Sequence, residues 1–252
     1  MGMGDWLMAA GEARKVHAAN KLPVLVIGRR GVPMWSEVFD HNPYILRSPT
    51  QRCNRIVSGG GVRPYISLKT PRKWFWKAYK PIPAELFFTK EEKAFAEPYR
   101  GMVMIEPNVK NVGHTNKAWD WGRWQQVALS AILHHPAGVV QCGVPNTGVR
   151  WLSDVTQAGT PTFRLALAVQ SVCKAFVGTD GGLMHGAAAS GIPAVILWSE
   201  FTSPGVVGYG SMVNLRHAGN PCGMRVNCPG CAAAMNKITV AEVVTALKGI
   251  LK

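Results

Sequence analysis

The segment Gly178-Thr-Asp-Gly-Gly-Leu-Met-His185 gathers groups able to hold a phosphate. A glycine pair at a helix start bares backbone N–H groups toward an anion, and the helix dipole adds its attraction. Asp180 stands where a strand ends and can cap the helix. His185 falls in the first turn, where it can donate to a phosphate oxygen or a leaving group. An ordinary tight turn with a capping Asp and a buried His would use the same residues.

A second group lies near the C-terminus. Cys228-Pro-Gly-Cys231 has the spacing of a metal knuckle, and Cys222 and His217 complete a four-ligand zinc alternative. The remaining cysteines, Cys53, Cys142 and Cys173, read as buried small hydrophobes. Six cysteines in 252 residues make no disulfide scaffold.

A third feature is charge. The chain has 28 Lys and Arg against 14 Asp and Glu, a net charge of +14. Between Asp40 and Glu85 there is no acidic residue but nine basic ones, and Lys69–Pro81 interleaves its cations with Trp74, Phe75, Trp76 and Tyr79. Arg63, Arg72, Lys73, Trp74 and Trp76 are the candidates from this stretch for an anionic partner: a phosphorylated glycan, a nucleic acid or an acidic membrane surface. A solvated basic face with its aromatics packed inward is the structural alternative.

These groups need a frame. At 47% hydrophobic residues the chain can offset its conformational entropy, which excludes a disordered polypeptide. No apolar run approaches the roughly 18–20 residues of a membrane helix, and the N-terminal residues lack a signal pattern. The expected location is cytoplasmic. From Gly101 onward strands alternate with helices: Met102–Glu106, Val139–Gly143, Ala175–Thr179, Ala194–Ser199 and a weaker Met212–Leu215 read as strands. Helices are expected over Trp121–His135, from Thr160 as cap to Lys174, over Leu183–Ser190 and over Thr239–Leu251. Such alternation implies βαβ units on a parallel sheet. The first hundred residues suggest a smaller α/β unit, with a helix over Asp5–Val16, a strand at Pro23–Ile27 and a flexible turn at Gly59–Gly61. Pro81–Pro83 and Thr89–Glu97 mark the crossing, which gives domains 1–98 and 99–252 with a cleft between them.

The stretch Val177–Leu197, with its Asp-x-Gly-x-x-His, Ala-rich helix and Gly-Ile-Pro, resembles the signature of glycosyltransferase family nine, the ADP-heptose:lipopolysaccharide heptosyltransferases. Asn116-Lys-Ala-Trp-Asp-Trp-Gly-Arg-Trp124 is similar to the family's Lys-x-Trp element, and Ser203-Pro-Gly205 to a turn after its fourth strand. Cys222…Cys228-Pro-Gly-Cys231 resembles its Cys-rich segment, and Gly2-Met-Gly-Asp5 its Gly-Asp loop. The likeness covers nearly all of residues 100–252 and only islands of residues 1–60. The strand that family members place before the Gly-Asp loop has no counterpart after Met1, and Gly181 stands where the signature has Ser or Thr.

The resemblance implies an α/β, GT-B-like fold of two Rossmann-like domains with parallel sheets, the N-terminal one reduced. It implies inverting, metal-independent transfer from a nucleotide-diphosphate sugar, ADP-heptose by analogy, with no further cofactor. The acceptor would be an anionic glycan such as a lipopolysaccharide core, met by an enzyme peripheral at the inner membrane face. Asp5 falls at the position of the general base. Lys117, Asp180, Gly181, Gly182, Leu183 and His185 would bind the donor. A departing diphosphate needs cations and N–H groups, which Lys117 and the Gly181–Gly182 helix start can supply. The alternatives are an N-cap role for Asp5 and a plain surface position for Lys117. A nucleic-acid-binding or nucleic-acid-glycosylating protein on the same fold is the alternative function.

Overall fold

The computed structural model describes residues 2–58, 62–109, 115–145 and 147–252; the turn expected at Gly59–Gly61 lies outside them. After helix α1 (Met3–Asn20) come three short strands, β1 (Val24–Ile27), β2 (Ile45–Leu46) and β3 (Asn54–Val57). They form a parallel sheet in the order β2-β1-β3, with Val24 opposite both Ile45 and Asn54. The basic aromatic stretch is an antiparallel hairpin, β4 (Ile66–Lys69) and β5 (Trp74–Trp76). Side chains alternate across a strand, so Phe75 is exposed while Trp74 and Trp76 are partly covered.

Six parallel strands follow: β6 (Val103–Glu106), β7 (Val139–Gly143), β8 (Thr156–Gly159), β9 (Ala175–Thr179), β10 (Ala194–Trp198) and β11 (Val213–Arg216). Their order, β11-β10-β9-β6-β7-β8, runs outward in two directions from β6. The chain therefore changes direction between β6 and β9, and a ligand crevice opens at their C-terminal ends. Helices cover both faces: α2 (Lys90–Ala96), α3 (Trp121–His134), α4 (Phe163–Val172), α5 (Gly182–Ser190), the short α6 (Pro204–Val207), α7 (Pro229–Lys237) and α8 (Val240–Ile250). β9 and β10 are buried at every position, as a doubly covered sheet requires. Val103, Ile105, Val177 and Val195 meet α3 and α8 on one face. Met104, Val140, Phe176 and Ile196 meet α4 and α5 on the other, in a core that continues through α1 into the smaller sheet.

Three local expectations shift. The helix expected to be capped by Thr160 is capped by Thr162, whose side chain accepts from the Leu165 N–H. Thr160 is still held by the sheet, its N–H donating to the Gly143 carbonyl at 2.8 Å. The segment Thr89–Glu97 is no bare crossing but a helix with a Thr89/Glu92 capping box. Cys53, expected to be buried, is only partly covered.

Arg164 ties this architecture together. The residue is 4% exposed, and its guanidinium grips the Glu92 carboxylate through two bonds of 2.6 Å and donates to the Glu37, Asp40 and Phe87 carbonyls. A buried guanidinium persists only when its donors are met, so α4 is stapled to the segments before and after the hairpin.

Candidate active site

A cavity of about 1130 Å³ opens at the C-terminal ends of the paired strands β6 and β9, where the strand order reverses. Its wall takes Asp5 from α1, Trp74 from the hairpin, Glu106 from the end of β6, Lys117, the start of α5 and Thr202 from the loop after β10. Two close helix contacts shape it. A Cβ on Gly4 would stand 2.7 Å from His185 Cδ2, and one on Gly182 would stand 2.9 Å from Phe163 Cζ. These glycines let α1 and α4 lie directly against α5.

Asp180 sits at the end of β9 as expected, but it does not cap the helix. Its Oδ2 lies 2.6 Å from Lys117 Nζ, which also donates to the Asp180 carbonyl at 2.8 Å. Gly181 takes the cap position with extended backbone and no side chain, so the first N–H groups of α5 lack a side-chain cap. Burial raises the Asp180 carboxyl above its ordinary range, and the Lys117 charge opposes that rise. Gly181, Gly182, Leu183 and His185 all reach the same cavity.

His185 is buried, and its Nδ1 lies 2.8 Å from the Tyr209 hydroxyl. Burial depresses its pKa to about 4, so at neutral pH the ring brings no charge to an anion. His185, expected to donate to a phosphate oxygen or a leaving group, lines the cavity as a neutral ring wedged beneath α1. An exposed ring protonates below about 6.5 and this one only near 4, so the unfolded chain binds more protons between those values. This contribution to stability is therefore lost as pH falls from 6.5 toward 4.

Asp5 is the third residue of α1, not its cap. Its Oδ2 accepts from the Gly2 N–H and from Arg63 Nε, each at 3.0 Å, while the Tyr65 hydroxyl donates to Oδ1. Burial first, then the Asp5 charge, holds the Tyr65 hydroxyl well above its usual pKa. The proton between them therefore stays on Tyr65. Across the cavity, Glu106 accepts from the Asn108 N–H at 2.7 Å, and burial raises its carboxyl to about 8. It stands largely protonated at neutral pH.

Of the basic aromatic candidates, Arg63, Trp74 and Trp76 line the cavity, whereas Arg72 and Lys73 lie outside its wall. Lys73 reaches over the exposed Phe75 ring instead. The guanidiniums of Arg63 and Arg225 lie 5.1 and 5.0 Å from the Trp74 ring. The hairpin is bound to the larger unit at this point: Trp74 N–H donates to the Gly223 carbonyl at 2.9 Å, and Trp76 Nε1 to the Phe201 carbonyl at 2.8 Å.

The cysteine cluster forms without its fourth expected member. Cys222 Sγ lies 3.5 Å from Cys231 Sγ and 3.9 Å from Cys228 Sγ, whereas His217 pairs with Glu242 at 2.6 Å. Burial disfavours a charged Cys228, but the Cys231 N–H, the neighbouring thiols and the Gly230 N–H outweigh it and lower its pKa. Three sulfurs within 4.8 Å of one another suit a soft ion such as zinc or iron. None of the three lines the cavity. Asn116 links the two places: its Nδ2 donates to the Met224 and Val226 carbonyls, its Oδ1 accepts from the Cys228 N–H, and Lys117 follows it in the chain.

Tyr65, Glu106, Asn116, Thr202, Tyr209 and Arg225 escaped the sequence reading. The sole signals available were adjacency, Asn116 beside Lys117 and Tyr65 two residues after Arg63.

No curated protein matches the chain. Among solved structures, E. coli ADP-heptose LPS heptosyltransferase II is 21% identical over 72% of this chain and 55% of its own, with a TM-score of 0.50. A family 9 glycosyl transferase from Veillonella parvula is 15% identical over 67% and 53%, with a TM-score of 0.53. The chain thus spans about half the length of these two proteins. The iron-containing dodecameric glycosyltransferase TibC from enterotoxigenic E. coli is 14% identical over 99% and 74%, with a TM-score of 0.62. These likenesses show a GT-B-like fold. Residues 77–220 match the family model for glycosyltransferase family 9 (heptosyltransferase), more than half of the chain. With its parallel sheets, its Asp180–His185 turn at the switch point and this match, the chain belongs to glycosyltransferase family 9.

Proposed function

We propose that the cleft binds a nucleotide-diphosphate sugar, ADP-heptose or a close analogue, and transfers its sugar with inversion to an anionic glycan. One observation carries this reading: Lys117 and the side-chain-free start of α5 share one cavity with Asp5. In the reaction Asp5 takes the proton of an acceptor hydroxyl as that oxygen attacks the anomeric carbon. The bond from that carbon to the diphosphate oxygen breaks, and the diphosphate leaves with the electron pair. Lys117 and the α5 N–H groups meet the charge that develops, so this step needs no metal. Arg63 and Arg225 beside Trp74 supply cations and a stacking face for the acceptor. The name of one relative, an ADP-heptose LPS heptosyltransferase, supports the choice of donor.

The test is thermal unfolding with ADP, UDP, GDP and CDP and their sugar conjugates. A ligand at about 100 times its Kd adds roughly 2.7 kcal/mol, a Tm rise of several degrees. Stabilisation by one nucleotide family supports the donor site. No shift with any of them, alongside DNA binding that weakens steeply with salt, would transfer the case to nucleic acid.

The iron of TibC and the donor chemistry of Cys222, Cys228 and Cys231 together support a structural ion at the knuckle. There it would hold the loop that Asn116 grips. Metal analysis of the purified protein is expected to find stoichiometric zinc or iron. A Cys222→Ser/Cys231→Ser variant is expected to lose it, and an equal metal content in both proteins would refute the site.

A further inference from the structure

Among the described residues, few buried side-chain polar atoms lack a hydrogen-bond partner, and two of them are on residues that line the cleft: Asp180 Oδ1 and Thr202 Oγ1. Asp180 is 4% exposed and Thr202 3%. A buried oxygen left without a partner is costly in the free protein, and that cost disappears when a ligand supplies the missing bond.

The surroundings say what kind of ligand this is. Asp180 Oδ2 is neutralised by Lys117, so Oδ1 is an acceptor awaiting an O–H or N–H donor, and it would repel a phosphate. The Thr202 hydroxyl can both donate and accept. Its loop is held firmly: the Phe201 N–H donates to Ser199 Oγ, and the Phe201 carbonyl accepts from Trp76 Nε1 and from the Gly223 N–H. Lys117 Nζ lies 5.1 Å from the ring of Phe201, the residue before Thr202 in the chain.

We propose that Thr202 is a specificity-determining residue: its hydroxyl and the free oxygen of Asp180 read hydroxyl groups of the donor sugar. This rests on the cleft being a nucleotide-sugar site. It adds a division of labour in which the α5 start and Lys117 hold the diphosphate, while Thr202 and Asp180 Oδ1 distinguish the sugar that hangs from it. A sugar lacking a hydroxyl at the matching position would leave the Thr202 oxygen buried and unpaired, and such sites discriminate strongly against the deoxy analogue.

The experiment is calorimetric titration of ADP and of ADP-heptose into the wild type, Thr202→Val and Thr202→Ser. Valine keeps the volume and removes the hydroxyl; serine keeps the hydroxyl. Thr202→Val is expected to weaken ADP-heptose roughly ten- to hundredfold and leave ADP binding unchanged, with Thr202→Ser close to wild type. Parallel weakening of both ligands in Thr202→Val would reveal a merely structural role, and unchanged affinity for both would remove Thr202 from the sugar site. Either result leaves the donor site standing. Failure of the wild type to bind ADP or ADP-heptose would instead overturn this donor assignment, and the Thr202 proposal with it.

Discussion

Lys117→Ala is expected to lower kcat/KM for the donor by about 10²–10³, the usual loss when one preorganised donor is removed from a developing anion. The free protein shows why the effect should be large. The ammonium is already fixed, bonded to Asp180 Oδ2 and to the Asp180 carbonyl, so no reorganisation is needed when the diphosphate departs. The substitution also strands a carboxylate that burial already pushes toward protonation. Breaking such a buried pair costs about 3–5 kcal/mol of stability when the partner stays charged, and less here as Asp180 takes up a proton. Lys117→Arg is a poor rescue, because a planar fork cannot reproduce the point contact to Asp180 Oδ2 and the Asp180 carbonyl. Turnover and denaturant unfolding of the same preparations separate the two effects. A folded Lys117→Ala protein with wild-type kcat/KM would remove this lysine from the chemistry.

Asp5→Asn is expected to lower kcat by about 10²–10⁴, the range for loss of a positioned base, with donor affinity nearly unchanged. The fold should tolerate the change. The Asn carbonyl oxygen can still accept from the Gly2 N–H and Arg63 Nε, and its NH₂ can face a Tyr65 hydroxyl that rotates to accept. The geometry is kept, but the charge that pairs with Arg63 is lost along with the ability to take a proton, so stability should also fall. Single-turnover rates under saturating donor measure that step alone. Wild-type rates would show that another group deprotonates the acceptor.

What the sequence disclosed followed its regularities. β6, β7, β9 and β10 are mainly apolar runs, and α3 repeats its apolar residues at helical spacing, so these were readable from periodicity. β8, Thr-Gln-Ala-Gly, has no such run, because as the sheet's edge strand only Ala158 is buried. The Asp180–His185 turn was visible through its glycines. Its true partners were not: Tyr209 beneath His185, Tyr65 on Asp5 and Thr202 in the same cleft wall as Asp180 are lone residues brought into place by tertiary contacts. The neutral state of His185 was hidden for the same reason. Nothing in its neighbours along the chain reveals a ring enclosed by another helix, and that enclosure removes its charge. Arg164 resembled any helical arginine until Glu92 and three backbone carbonyls converged on it.

The contact of Gly4 with His185 joins residues from distant parts of the sequence, and Asp5 gains its position through it. Pairings across so long a span form late, because loop-closure entropy must be overcome before they stabilise anything. A partly folded chain with its six-stranded sheet complete could already hold a nucleotide, yet it would have no base in place. Recovery of nucleotide binding during refolding should therefore run ahead of recovery of transfer.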